Sequence, residues 1–216
     1  MEKKLNKSFL ALTLISSITL FGFISMMILV LCDHKFIIDK FNNVVANNRN
    51  TFYNGFFKIF TYLGSFYTLL TLTLVGVLII WLVLKNKRLC VFYALCFGIV
   101  CGLNVIFKLI IRRMRPEHFM LIEEVGFSFP SGHAMMSLAF FLLLSHFVWK
   151  TIKNKPLKIT LISLFMVLAI MIGFSRIYLG VHYFSDVLAG WLLTITITFL
   201  SFVGYKSKIF RSKHKD

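Results

Sequence analysis

His182 and Asp186 stand four residues apart, with Arg176 six residues upstream, in the stretch Ser175-Arg176-Ile177-Tyr178-Leu179-Gly180-Val181-His182-Tyr183-Phe184-Ser185-Asp186. At helical spacing four residues stack one side chain over the other. A carboxylate there can take the proton of one imidazole nitrogen and leave the other free to attack an electrophile. Arg176 adds a planar fork of donors suited to phosphate or carboxylate oxygens. Taken singly, each of these residues reads more simply as a snorkelling or interfacial polar group at a helix end. Their company is what changes the reading.

Two further stretches offer matching chemistry. In Pro130-Ser131-Gly132-His133, Ser131 is a natural N-cap, and Gly132 removes a Cβ where backbone must approach something closely. The free amides of a helix start receive anions, and His133 projects from that first turn. As structure alone this is an ordinary capped helix start. Upstream, Lys108 and Arg115-Pro116 are separated by almost two helical turns. The two cations share a face if the helix persists to the proline. Arg112 and Arg113 read as cations snorkelling to headgroups.

The elements that must position these groups are apolar. Of the 216 residues 58% are hydrophobic, and the mean hydropathy is +0.83. A soluble core does not need that, whereas a membrane does. Six runs, at about 8–31, 59–84, 89–111, 131–149, 157–175 and 182–204, approach or exceed the ~20 residues that a spanning helix requires. Alternation is absent, so the runs are not strands of a barrel. The expected architecture is an all-α, polytopic six-helix membrane bundle, with residues 1–216 forming one domain.

The first run follows Lys3, Lys4 and Lys7, as a signal peptide would. Its apolar stretch from Ser8 to Leu31 is too long for a signal-peptide core and lacks a small-residue cleavage site, so it reads as a retained span. Leu31 also stands before Cys32 where a lipoprotein site needs a small residue. Cys90, Cys96 and Cys101 form no metal or disulfide pattern and read as small buried hydrophobes.

A net charge of +16 would suggest nucleic acid in a soluble protein. Here the basic residues fall in short clusters between apolar runs, which is the pattern of cytoplasmic loops. Lys3, Lys4, Lys7, Lys85, Lys87, Arg88, Lys150, Lys153, Lys155, Lys158, Lys206, Lys208, Arg211, Lys213 and Lys215 make up fifteen of the 24 Lys and Arg. Both termini are therefore expected in the cytoplasm of a multi-pass plasma-membrane protein, with no nucleic-acid partner. The outer stretch from Phe36 to Lys58 reads either as a short interfacial helix or as a packed loop.

Helix parity then brings the chemistry together. The third run places Lys108 roughly 28 Å from Leu89, near the outer boundary, where an intramembrane Lys is costly and usually functional. The end of the third helix, the start of the fourth and the 175–186 junction all meet at one membrane face, the extracytoplasmic one.

These residues closely resemble the three-part signature of the type-2 phosphatidic acid phosphatase superfamily: K-x6-R-P, P-S-G-H and S-R-x5-H-x3-D. The matching positions are Lys108, Arg115 and Pro116; Pro130 to His133; and Ser175, Arg176, His182 and Asp186. The resemblance implies that His182 attacks phosphorus to form a phosphohistidine while Asp186 orients it. It implies that His133 protonates the leaving oxygen and later activates water. It further implies that Lys108, Arg115, Arg176, the Ser131 hydroxyl and the Gly132 amide hold the phosphoryl oxygens. Phosphoryl transfer is mostly positioning and charge stabilisation, so three cations suffice, and no metal or other cofactor is expected. Glu117, Glu123 and Glu124 read as loop solubility or gating residues.

The expected partner is a lipid phosphate substrate in the bilayer. Small size and an outward site favour undecaprenyl pyrophosphate, with phosphatidylglycerol phosphate and phosphatidic acid as alternatives. A lipid phosphotransferase would carry the same motif. An anion transporter would need broken helices or inverted repeats, and the sequence displays neither. Vanadate-dependent oxidation, known from soluble relatives of the site architecture, does not suit a membrane-embedded chain.

Overall fold

The computed structural model describes residues 2–32, 37–116 and 120–213. Phe36, Glu117 and Lys215 lie outside them. The described residues contain helices and no strand. Eight α-helices follow one another: α1 (Glu2–Leu31), α2 (Phe41–Asn47), α3 (Thr51–Leu63), α4 (Phe66–Leu84), α5 (Lys87–Ile111), α6 (Gly132–Thr151), α7 (Lys155–Tyr178) and α8 (Phe184–Lys213). A 3-10 turn at Ile37–Lys40 leads into α2.

Six of these helices, α1 and α4 to α8, are long and apolar enough to cross a membrane. A helix satisfies its own backbone groups, which hydrocarbon cannot do. Their starts are written locally. Asn86 and Asn154 accept hydrogen bonds from Leu89 N and Leu157 N, and Pro156 sits in the first turn of α7.

The apolar run 59–84 is not a single span. Gly64 and Ser65 divide it, leaving residues 59–63 to α3 and starting α4 on a Ser65 cap that accepts from Thr68 N. Glycine is needed at the break for close packing, because a Cβ at Gly64 would lie 2.3 Å from Ile172 Cγ2. The outer stretch is helical and packed rather than looped. Asn42, Val45 and Phe57 are buried, and the Phe57 ring lies 4.3 Å from that of Tyr178 on α7.

Cross-contacts define the helix directions. Thr19 bonds Thr196, and a Cβ at Gly22 would meet Leu192, so α1 and α8 run antiparallel. Tyr93 meets His146 while Asn104 meets Met135, so α5 and α6 are antiparallel. Ser131 faces Gly190 and Met135 faces Thr194, so α6 and α8 run parallel. Helix α6 is central: 61% of its spanning window is buried, against 17% for α4 and α7. This topology puts the end of α5, the start of α6, the end of α7 and the start of α8 at one end of the bundle. Beneath that end lies a core that includes Phe23, Phe97, Val100, Phe129, Met135 and Ala139.

Cys32, Cys90, Cys96 and Cys101 are free thiols; Cys90 and Cys96 are buried, Cys101 is half-buried and Cys32 is exposed.

Candidate active site

Helix α5 ends at Ile111, where the apolar run ends, and does not persist to Pro116. Arg112 takes a left-handed conformation (φ 51°) with its N–H on the Lys108 carbonyl, and the chain continues without regular secondary structure to Pro116. A proline disfavours helix in the residue before it, and Ser128 captures the Arg113 and Met114 carbonyls that a longer helix would have used. Lys108 and Arg115 therefore do not share a helical face. They reach the site separately, Lys108 from the last turn of α5 and Arg115 from the segment that follows it.

The three motifs nevertheless converge. Lys108 Nζ donates to the Phe127 carbonyl and lies within charge range of Arg115, Arg176, Glu124 and Asp186. Arg115 donates to the carbonyls of Gly126 (2.9 Å), Val181 (2.8 Å) and Val125 (3.3 Å), and its Nη1 lies 3.3 Å from His182 Nε2. Arg176, 1% exposed, donates to Thr61 Oγ1 and to Glu124 Oε2. Its Nε has no hydrogen-bond partner among the described residues. His133 lies within charge range of Arg176, His182, Lys108 and Arg115.

Ser131 occupies the N-cap position of α6 without making the expected side-chain cap. Its hydroxyl is buried and unpartnered among the described residues. A buried polar atom left unmade costs about 1–3 kcal/mol, so this hydroxyl and the Arg176 Nε fit an incoming oxygen ligand. Gly132 is required by close approach, since a Cβ there would sit 2.9 Å from Asn104 Oδ1. Asn104 in turn donates to the Pro130 carbonyl at 3.0 Å. Ser131 N–H donates to the Asp186 carbonyl at 3.1 Å, tying the start of α6 to that of α8.

His182 precedes α8 rather than riding on it, because Gly180 (φ 74°) turns the chain after α7. Asp186 lies in the first turn of α8 and accepts from Tyr183 N at 2.9 Å. His182 Nδ1 is 3.4 Å from Asp186 Oδ2. Arginine can only donate, so the contact with Arg115 makes His182 Nε2 the acceptor and assigns the ring proton to Nδ1. Burial, and then the charges of Arg176, Lys108 and Arg115, hold the His182 imidazole well below its ordinary range. The ring is neutral, with its lone pair on the nitrogen that faces the cations.

Four residues that the motifs do not contain complete this geometry. Arg113, expected to snorkel, turns inward to Asp39 and Asp186. Asn42 donates to the His182 carbonyl (2.9 Å) and accepts from Phe184 N (3.2 Å), bracketing Tyr183. Glu124 pairs with Arg176 and lies 3.9 Å from Arg115. Thr61 anchors Arg176 from α3. The scarcity of acids pointed this way: eight Asp and Glu face 24 Lys and Arg, so any acid near the motifs was a candidate partner. Among the described residues no group of three or more His, Cys, Asp or Glu stands together as a metal site.

The chain is similar to several known proteins. Residues 87–210 match the PAP2 superfamily. Phosphatidylglycerophosphatase B of Bacillus subtilis is 37% identical over 125 residues, covering 56% of this chain and 60% of the relative. Undecaprenyl-diphosphatase of Sulfolobus acidocaldarius is 31% identical over 125 residues, covering 54% and 55% respectively. The chain thus spans a little over half the length of these two relatives. A crystal structure of a transmembrane PAP2 type phosphatidylglycerolphosphate phosphatase from Bacillus subtilis superposes with a TM-score of 0.77 at 28% identity, covering 88% of this chain and 96% of that one. Aquifex aeolicus LpxE superposes with a TM-score of 0.64 at 26% identity, covering 78% and 96%.

Proposed function

The chain belongs to the PAP2 superfamily, and from that premise we propose that it is a membrane lipid phosphatase working through a phosphohistidine on His182. The observation that carries this reading is the His182 ring: Nδ1 faces Asp186 while Nε2 presents its lone pair beside Arg115. The phosphoryl oxygens take over the donors of Lys108, Arg115 and Arg176, with the Ser131 hydroxyl and the Gly132 amide. Nε2 attacks phosphorus, an N–P bond forms and the bond to the lipid oxygen breaks. His133 supplies the proton to that oxygen, then removes one from the water that cleaves the N–P bond and releases inorganic phosphate. Asp186 stabilises the imidazolium that forms on attack.

The charge required comes from the three cations, so turnover needs no metal. The site opens to the extracytoplasmic side and both termini are cytoplasmic, since the basic clusters sit on the opposite loops. Residues 1–216 act as one six-span unit. The substrate is a lipid bearing a terminal phosphate or pyrophosphate. The relatives' names support two classes, polyprenyl pyrophosphates such as undecaprenyl pyrophosphate, and phosphatidylglycerophosphate; phosphatidic acid completes the set. The test is phosphate release by the purified chain from a panel of these three lipids. One or more should be hydrolysed by the wild type and none by His182→Ala. Absence of release from every member overturns the reading.

A further inference from the structure

Asp186 is completely buried. A buried carboxylate without a counter-charge takes up a proton instead of remaining ionised, and a protonated Asp186 could not support a positive His182. Several cations influence it. Lys108 and Arg115 act on it across the site, but the donors of Lys108 go to Phe127 and those of Arg115 to Gly126, Val181, Val125 and His182. Arg113 is different: its Nη1 reaches Asp186 Oδ1 at 2.6 Å. The other carboxylate oxygen serves Tyr183 N and His182 Nδ1. The two oxygens thus divide between the cation and the imidazole.

Arg113 is itself held on three sides. Nη1 also donates to Ser185 Oγ at 2.7 Å, Nη2 donates to Asp39 Oδ2 at 2.8 Å, and the guanidinium lies 4.1 Å over the Tyr183 ring. Asp39 accepts from Ser185 N (2.9 Å) through Oδ1 and from Ser185 Oγ (2.8 Å) through Oδ2. One carboxylate therefore orients both the arginine and the first turn of α8. Burial works to lower the pKa of Arg113, yet Asp186 and Asp39 outweigh it and hold the group above its ordinary value. The pairing is electrostatically complementary.

We propose that Arg113 and Asp39 are positioning residues of this site: Arg113 keeps Asp186 ionised and aimed at His182, and Asp39 keeps Arg113 in place. This rests on the phosphatase reading for its consequence, though not for its geometry. It also gives the outer segment before α2 a role, as the carrier of Asp39.

The full chain in lipid nanodiscs should be compared as wild type, Arg113→Gln, Arg113→Lys, Asp39→Asn and the double variant Arg113→Gln/Asp186→Asn. Infrared spectroscopy at neutral pH reads protonation directly. Arg113→Gln should gain the C=O stretch of a protonated carboxyl, and the double variant should lose it. Arg113→Lys, which keeps the charge, should not show it. Phosphate release by Arg113→Gln should fall roughly 10–100-fold, as for loss of an outer-shell partner, and recover as pH rises. The loss should be in kcat with KM little changed. Absence of the carboxyl band in Arg113→Gln overturns the proposal, because Asp186 then stays ionised unaided. If Arg113→Gln does not fold, Asp39→Asn decides: a smaller loss in kcat supports the proposal, and an unchanged kcat and pH profile overturn it. A wild type that releases no phosphate sinks the phosphatase reading, while the infrared band still decides the role of Arg113.

Discussion

Glu124 and Arg176 form an ion pair, Glu124 Oε2 accepting from Arg176 Nη2 at the cation cluster of the site. The other Glu124 oxygen lies 3.9 Å from Arg115. A carboxylate thus occupies donors that a phosphoryl group would need, and it must yield them when an anion arrives. Glu124→Gln removes the competing charge and keeps the shape. The variant should bind vanadate or inorganic phosphate more tightly, by roughly fivefold, the equivalent of about 1 kcal/mol. Inhibition constants measured on both proteins check this; weaker anion binding by Glu124→Gln would show that Glu124 supports the cradle instead.

The acid limb of the pH profile follows from His182. Its imidazole is held well below 6.5 by burial and by Arg176, Lys108 and Arg115, so the attacking neutral form persists as pH falls through 6.5. The limb of kcat/KM that belongs to the free enzyme, corrected for the substrate's own ionisation, should lie on the acid side of the ordinary histidine value. Arg115→Gln removes one like charge and should move that limb to higher pH while lowering the rate. A wild-type limb at or above 6.5 contradicts this assignment.

The bundle was legible because hydropathy runs and motif spacing are local signals. Helix parity likewise made legible that the segments carrying Lys108, Arg115, His133, Arg176, His182 and Asp186 meet at one end of the bundle. Arg113 was not legible as a site residue, because an Arg after an apolar run looks the same whether it meets headgroups or Asp186. Its partner Asp39 is 74 residues away, and Thr61 lies 115 residues from Arg176. Pairings of that separation exist only after the helices pack. That the helix does not continue to Pro116 was hidden for a related reason, since the Ser128 bonds that capture the next carbonyls come from the far side of a loop.

Activity should survive chelation. On the proposed reading the cradle is built from Lys108, Arg115, Arg176, a hydroxyl and an amide, and the transition-state charge would be met without an ion. Turnover measured after dialysis against excess EDTA should equal that of untreated protein. Loss of activity restored by Mg²⁺ would mean that a metal supplies part of this charge.

The membrane orientation can be read by labelling. Val125 is 96% exposed on the loop beside the site, and Lys153 is exposed between α6 and α7. Neither is one of the residues of the proposed phosphoryl cradle, and Glu124 is avoided because it pairs with Arg176. Val125→Cys and Lys153→Cys, made singly after replacing Cys32, Cys90, Cys96 and Cys101, should differ in intact cells. A membrane-impermeant maleimide should label Val125→Cys alone. Labelling of Lys153→Cys alone would invert the topology and place the site in the cytoplasm.

The two histidines should fail in different ways. Both stand at the same end of the bundle, but only His182 has a carboxylate at its Nδ1, the 3.4 Å contact with Asp186. In the proposed mechanism that contact supports the positive ring formed on attack, with His182 as the nucleophile. His133 sits in the first turn of α6, within charge range of His182 and of the three cations, where the proposed mechanism has it pass a proton to the leaving group. His182→Ala should lose about 10⁴-fold or more in rate and form no phosphoenzyme. His133→Ala should still form one when the leaving group is good, because an aryl phosphate or a lipid pyrophosphate needs less help from an acid than an alkyl phosphate does. Rapid-quench labelling with a radiolabelled phosphate substrate should therefore give acid-labile protein counts in His133→Ala and none in His182→Ala. Label trapped on His182→Ala but absent from His133→Ala would reverse the two roles, leaving Asp186 to support an acid instead of a nucleophile.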